Sequence, residues 1–381
     1  MKITIVCGFL LPVPPVAGGA MEKMWWRLAR LYARRGHQVT LISRRWPGWA
    51  NEETVDGVRL LRLPGANHRR QLWKNLLLDA LWGWRVLSAL PAGDILITNT
   101  VALPVFVRTL RPAAGRLVVN LNRFPKGQVR WYGRAARIQA ASGIIAETAK
   151  QQAPKLASII RVVPNPVDCS AFKAAPAGHP TGGPVTIGYM GRINPEKGLL
   201  TLAKAAALLA EKPGLPPWRI VLRGPTDVPR GGGGEAFVAQ LRAAAPALWQ
   251  DGRLSLADPL YDAGALAAAY RSLDVFCYPT EAAEGEAHPV AVLEAMAAGC
   301  PIVATNLPCF ADQLRTGENA LLVPPHDAAA LANAFDRLLR DPALRTTLAT
   351  RASAVIWALD DEAVATQHLA DYESLLHDAR S

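Results

Sequence analysis

Two carboxylates, Glu286 and Glu294, stand either side of Pro289 in the run Glu286-Ala287-His288-Pro289-Val290 that continues to Gly299. Proline suits the first turn of a helix because it lacks an N–H that would be unpaired there, and glycine suits the end. Such a helix turns free amides and a positive dipole end toward Glu286, a place for an anion such as a diphosphate. Glu294 follows about two turns along. An ionised carboxylate accepts paired hydrogen bonds, so these glutamates could hold hydroxyls on two rings of one ligand, a ribose and a transferred sugar. Surface charges and helix caps look the same in isolation, so the segment needs company.

Gly188-Tyr-Met-Gly191-Arg192-Ile-Asn-Pro-Glu-Lys197-Gly198 supplies some, because it lies where an apolar strand gives way to a helical pattern. Ligands of open parallel sheets bind at that end of the strands. Its glycines allow close backbone approach, and Arg192 with Lys197 could neutralise a diphosphate and the charge it gains on leaving. The run matches neither a Walker loop nor Gly-x-Gly-x-x-Gly. Gly18-Gly19, ahead of the first helical stretch, could likewise admit a phosphate or sugar to helix amides. A solvated loop and a flexible turn are the plain alternatives for these two segments.

Positioning such groups needs a scaffold, and 381 residues exceed what one hydrophobic core usually organises. Strand-like runs alternate with helix-period stretches throughout, the pattern of parallel sheets covered by helices. In the first half strands are expected at Ile3 to Cys7, Gln38 to Ser43, Val58 to Leu63, Ile95 to Asn99, Leu117 to Leu121, Gly143 to Ala146 and Ile160 to Val163. A helix is expected from Met21 to Arg35, closed by Gly36. An Ala-, Gly- and Pro-rich stretch from Phe172 to Pro184 reads as a linker. The alternation then resumes with strands at Val185 to Tyr189, Arg219 to Leu222, near Leu254, Val275 to Tyr278 and Ile302 to Ala304. Helices are expected over Leu199 to Glu211, after the Gly231 to Gly234 loop, and over Ala328 to Arg340 and Asp361 to Ala379.

Half of the residues are apolar and 19% are charged, ample material for packed cores and little that points to long disorder. Five scattered cysteines form no Cys-x-x-Cys pair, which fits a reduced, cytoplasmic setting. The apolar start, Ile3 to Leu11, is broken by Pro12, Pro14 and Pro15 and reads as a buried strand rather than a targeting segment. Charge is segregated: residues 1–180 hold 26 Lys and Arg against 8 Asp and Glu, a surplus of +18, and the remainder 16 against 23, or −7. A cationic half suits phosphate-bearing or lipid-surface partners. Within it, residues 71–90 carry Trp73, Trp82 and Trp84 in a helical pattern. Core packing is the expectation for this helix; peripheral contact with an anionic membrane, through it and a face of Arg27, Arg30 and Arg34, is the alternative.

Taken together, several segments resemble the retaining glycosyltransferases of family four, in order and over nearly the whole chain. They are Gly18-Gly19 with Arg35-Gly36-His37-Gln-Val-Thr, Val163-Pro-Asn165-Pro-Val-Asp168, Gly191-Arg192 with Lys197-Gly198, and Glu286 to Glu294 running on to Gly299-Cys-Pro-Ile-Val-Ala-Thr305. The resemblance implies an α/β GT-B architecture of two Rossmann-like domains with parallel sheets facing a cleft. Residues 1–175 would form the acceptor-side domain, 184–360 the nucleotide-sugar domain, and 361–381 a last helix crossing back. Glu294 would hold the ribose, Glu286 the donor sugar, and Arg192 and Lys197 the diphosphate. Gly191 and the backbone of Ala287, His288, Pro289 and Val290 would support the sugar and phosphate, while Gly18 and Gly19 would approach from the other domain.

Retention in this group is usually explained by same-face attack, the leaving phosphate oxygen taking the acceptor proton. No metal or other cofactor is implied, and there is no Asp-x-Asp to bind one. The substrates would be a UDP- or GDP-sugar and a saccharide or lipid-linked glycan at the inner face of a membrane. Three departures stand out. Asn122 occupies the place where a histidine is common, and it cannot titrate near neutral pH; Arg123 and Lys126 beside it could meet an anionic acceptor. Pro166 stands where glycine is usual, and Ala287-His288-Pro289 where Gly-Phe-Gly is common. A non-hydrolysing sugar-nucleotide epimerase shares the architecture. A cationic non-catalytic binder of glycan or nucleic acid is a further alternative; no base-reading motif supports a nucleic-acid partner.

Overall fold

The computed structural model describes residues 1–16, 18–69, 71–172, 183–283 and 285–377. Two units are distinguished, Met1–Pro166 with Asp361–Ser381, and Val167–Asp360. The first unit therefore ends at Pro166 rather than at residue 175, and most of the expected linker lies outside the described residues.

In the first unit the chain runs β1 (Lys2–Val6), α1 (Ala20–Arg34), β2 (Gln38–Arg44), β3 (Glu52–Val55), β4 (Val58–Leu63) and α2 (Leu72–Ala89). It continues through β5 (Ile95–Thr98), α3 (Leu103–Leu110), β6 (Arg116–Leu121), β7 (Arg137–Ala140), α4 (Gly143–Gln152) and β8 (Ile160–Val162). The second unit holds α5 (Cys169–Phe172), β9 (Val185–Met190), α6 (Leu199–Ala210), β10 (Trp218–Arg223), α7 (Gly234–Ala244), α8 (Pro246–Gln250) and β11 (Leu254–Ala257). Then come α9 (Ala263–Arg271), β12 (Val275–Tyr278), α10 (Val290–Ala297), β13 (Ile302–Thr305), β14 (Ala320–Val323), α11 (Ala328–Arg340) and α12 (Pro342–Ile356). The last helix, α13 (Asp361–His377), belongs to the first unit.

The first sheet has the order β3-β4-β2-β1-β5-β6-β7-β8, parallel except for β3, which pairs antiparallel with β4 at the edge. The second, β11-β10-β9-β12-β13-β14, is parallel throughout. Continuous burial along β5, β12 and β13 explains why these strands read as unbroken apolar runs: helices cover both faces. Asp262, Asp327 and Asp341 cap α9, α11 and α12 by accepting from the amides three residues on.

Three expectations need correction. Gly143 to Ala146 opens α4 instead of forming a strand; the strand is β7, and a short apolar run with two isoleucines does not distinguish the two. The 71–90 helix is not wholly core: Trp82 is buried, but Trp73 and Trp84 are 62% and 65% exposed. The Arg27, Arg30 and Arg34 face is engaged within the unit, Arg27 with Asp361 at 2.8 Å, Arg30 with Asp56 at 2.9 Å and Arg34 with Glu362 at 3.5 Å. Helix α13 also buries Ala365, Leu369 and Tyr372 in the core that holds Trp25, Leu28 and Tyr32 of α1. The Tyr32 hydroxyl and His368 Nδ1 lie 2.6 Å apart there.

Candidate functional site

In the second sheet chain order runs outward both ways from the β9/β12 pair, to β10 and β11 on one side and to β13 and β14 on the other. The carboxyl ends of such a pair open a crevice that no crossover helix fills, where ligands of open α/β sheets bind. Both glutamate- and arginine-bearing segments are the loops leaving these two strands.

Gly198 fixes how the loops meet. It has φ 65°, and a Cβ there would collide with the carbonyl oxygen of Pro279 in the other loop, so only glycine permits the approach. The preceding residue, Lys197, is thereby set against Glu286 in a buried ion pair whose side chains are 7% and 8% exposed. Burying two charges is costly unless the pair is well hydrogen-bonded. Here Glu286 Oε1 also accepts from the Tyr278 hydroxyl at 3.0 Å and from Thr280 at 3.1 Å. Thr305 steadies that strand end by donating to the Thr280 carbonyl at 2.6 Å. Tyr278 stacks on Tyr189, with ring centroids 5.9 Å apart. Burial, and then the charge of Glu286, pushes both phenols well above their ordinary range, so they remain neutral donors.

Glu294 lies on α10 and accepts from the Tyr270 hydroxyl at 2.9 Å. Pro289 caps α10, with Val290 its first residue; both are partly exposed, whereas Ala287 and His288 are buried. Burial lowers the His288 imidazole to about 4, which keeps it neutral beside the helix start. Arg192, half-exposed, pairs with Glu196 at 2.9 Å. It lies against Gly231, where a Cβ would press on the arginine chain at 2.8 Å, while Asn194 donates to the Gly231 carbonyl at 3.1 Å. Gly191, with φ 153°, ends β9 beneath Gly224 of the neighbouring loop. The glycine-rich 231–234 loop is thus the floor for Arg192.

Nine of the twelve sequence-chosen residues fall in the second unit; Gly18, Gly19 and Asn122 fall in the first. Gly18 and Gly19, with φ 82° and 93°, lead into α1. A Cβ on Gly19 would run into the carboxylate of Glu22, which is buried in the first turn of that helix. Burial raises the Glu22 pKa, opposed by its own backbone amide and by the charge of Arg123. Arg123 follows Asn122 directly, so the Gly18-Gly19 turn and the loop after β6 share an electrostatic environment. Asn122 donates to Asn120, while its own carbonyl oxygen is buried with no partner among the described residues.

Sequence reasoning missed Tyr278, Thr280, Tyr270, Glu196 and Glu22. Tyr278 and Tyr270 are indistinguishable from core aromatics in a one-dimensional pattern. Glu22 had a signal, a carboxylate on the first turn of an otherwise apolar and basic helix. Among the described residues no three His, Cys, Asp or Glu side chains converge as metal ligands. The arrangement offers a helix start, an exposed guanidinium, a buried ammonium and two anchored carboxylates around one pair of strand ends.

Residues 173–355 match the family described as glycosyl transferases group 1. The chain is 28% identical to the phosphatidyl-myo-inositol mannosyltransferase of Mycobacterium leprae, over 98% of this chain and 97% of that protein. It is 30% identical to the D-inositol 3-phosphate glycosyltransferase of Kineococcus radiotolerans, over 88% and 86%. Among solved structures, sucrose-phosphate synthase from Thermosynechococcus elongatus superposes with a TM-score of 0.78 at 22% identity, over 99% of this chain and all of that one. Anabaena HepE in complex with UDP gives 0.75 at 19%, over 98% of this chain and 100% of that one.

Proposed function

The chain belongs to the group 1 glycosyltransferases and has their GT-B fold, and on that footing we propose that it is a retaining, metal-independent enzyme using a nucleoside-diphosphate sugar. The acceptor is a hydroxyl of a saccharide or of a glycan carried on lipid, in keeping with relatives named for phosphatidyl-myo-inositol and inositol phosphate. The observation that carries this reading is the Lys197–Glu286 pair at the β9/β12 switch point, flanked by Arg192 and by Glu294 on α10.

In this reading Glu294 takes the ribose hydroxyls, prepositioned by Tyr270. Arg192 and the first amides of α10 take the diphosphate, and Lys197 adds positive charge close to the leaving oxygen. Charge that develops there is stabilised by groups already in place, which costs no reorganisation during reaction. Glu286 orients sugar hydroxyls, with Oε1 committed to Lys197, Tyr278 and Thr280. The acceptor proton passes to the departing phosphate oxygen, so no side-chain base is required, and the absence of a titrating group at Asn122 is no obstacle.

Thermal unfolding against a panel of UDP- and GDP-sugars tests the donor site, since a ligand at 100 times its Kd adds about 2.7 kcal/mol. Glu294→Ala should weaken the stabilising nucleotide by about 10- to 100-fold, the loss expected for hydrogen bonds to a charged group. Product anomeric configuration read by NMR then tests retention. A panel in which no sugar nucleotide shifts the melt, or an inverted product, removes the corresponding part of the proposal. Conversion of a donor with no acceptor present would instead indicate epimerisation.

A further inference from the structure

We propose that α2 is a membrane-docking helix that rests on an anionic lipid surface. Trp73, Leu77, Leu81 and Trp84 recur at helical spacing on one face, and all four are exposed. The opposite face, with Asp79, Trp82, Gly83 and Val86, is the buried one. A folded unit rarely leaves two tryptophans and two leucines on one helix face open to water. Rings of this kind favour headgroup depth in a bilayer, and no helix among the described residues is long and apolar enough to cross one.

Charge identifies the occupant. Lys74, partly exposed, lies over the Trp73 ring at 5.4 Å. The exposed Arg85, next to Trp84 in the chain, donates to the Pro64 carbonyl at 2.9 Å and keeps its charge unpaired with any carboxylate among the described residues. From His68 to Ala114 the chain has six Lys and Arg and only two acidic residues, both turned to structural work. Asp79 accepts from the amides of Val101 and Ala102 at 3.0 and 2.7 Å, and Asp94 from that of Lys2 at 2.7 Å. Helix α3 packs beside α2, and Arg111 just beyond it binds the Leu90 carbonyl at 2.9 Å, joining the ends of the two helices. Beyond that junction Arg108, Arg116 and Arg134 line a cavity of about 140 Å³ with no carboxylate in its lining among the described residues. An apolar stripe bordered by cations and free of anions matches lipid headgroups better than a protein surface of mixed charge. The α1 arginines do not take part, being engaged with Asp56, Asp361 and Glu362.

The proposal is independent of the donor site and would outlast its failure. Flotation of the full chain is compared with vesicles of phosphatidylcholine alone and with added phosphatidylglycerol, at low and high salt. Binding is expected to the anionic vesicles at low salt only, and hydrogen exchange over residues 72–89 should slow when they are present. Trp73→Ser with Trp84→Ser should cut binding about tenfold or more. Lys74→Glu with Arg85→Glu should cut it at least as far, since each basic residue near such a surface is worth about fivefold. Trp73, Trp84 and Arg85 are exposed and Lys74 partly so, and unchanged melting verifies the fold. The proposal is overturned if the parent fails to float at low salt or if the double tryptophan variant floats as well as the parent. It is also overturned if light scattering without lipid shows a dimer that the tryptophan substitutions dissociate, since the face would then seat a second copy.

Discussion

The strand ends of the two sheets treat buried charge in opposite ways. At β9 and β12 each buried ion has a partner in contact, Lys197 with Glu286, and the carboxylate is pinned further by Tyr278 and Thr280. At the end of β1 the carboxylate of Glu22 is buried against Gly19 and answered by its own amide and the charge of Arg123. The first arrangement is a socket fixed before ligand arrives, as preorganised electrostatics require. The second holds its charge against solvation cost, which a ligand or a proton can relieve. The difference is between a charge matched in contact, Lys197 with Glu286, and one held mainly by its own amide and a more distant cation.

The largest effect is expected from breaking the socket. Lys197→Ala leaves Glu286 buried and uncompensated, which should cost about 3–5 kcal/mol of stability, and should lower turnover by about 100-fold or more. Replacing both partners, Lys197→Met with Glu286→Leu, should return most of the stability but none of the activity. Urea unfolding and initial rates separate the two. A single variant that unfolds like the parent would show that the pair is not what holds the loops.

Acid should act on both units through two buried neutral histidines, His288 near the socket and His368 on α13 against Tyr32 of α1. Burial lowers them to about 4 and about 3, from an ordinary value near 6.5. A base whose folded pKa is depressed stabilises the fold above its unfolded pKa, and that stability is lost as pH falls. The loss should therefore begin below about pH 6.5, at a limiting slope of about 1.4 kcal/mol per pH unit for each histidine. It should continue to about pH 4 for His288 and about pH 3 for His368. Urea midpoints from pH 7 downward measure it, and His368→Gln should flatten the profile of the first unit alone. Profiles unchanged by that substitution would mean the imidazole is charged or solvated in the folded state.

How much of this was legible in sequence differs between the same two regions. Glu286, Glu294, Arg192, Lys197 and Gly198 stand out because their types and their strand-to-helix placement are rare together. That Lys197 and Glu286 bind each other was not legible: it depends on β9 and β12 being neighbours, a non-local pairing that no window of sequence contains. Tyr278 and Tyr270 were hidden for a related reason, since a phenol in a buried strand or helix looks like packing until its hydroxyl finds a carboxylate. The strand-like isoleucines of α4 and the tryptophans of α2 misled through composition. In both, periodicity shows which residues share a face and leaves open what that face meets.

The smallest effect, and the one that most sharpens the contrast between the strand ends, should come from Glu22→Gln. The folded pKa of Glu22 is raised, chiefly by burial. An acid shifted upward stabilises the fold most fully below its unfolded pKa, and that contribution disappears as pH rises through the folded value. At alkaline pH the parent therefore carries a charged, desolvated carboxylate, and the neutral amide should be more stable by about 1 kcal/mol, a modest part of the cost of an incompletely paired buried group. Near pH 4 the two should unfold alike. The matching substitution in the socket, Glu286→Gln, should destabilise at the same alkaline pH, because it leaves the buried Lys197 ammonium with only the half-exposed Glu196, 3.8 Å away, as counter-charge. Opposite signs from one chemical change at two strand ends are the expected signature; equal signs would mean that Glu22 is paired as firmly as Glu286 and that the contrast is one of exposure only.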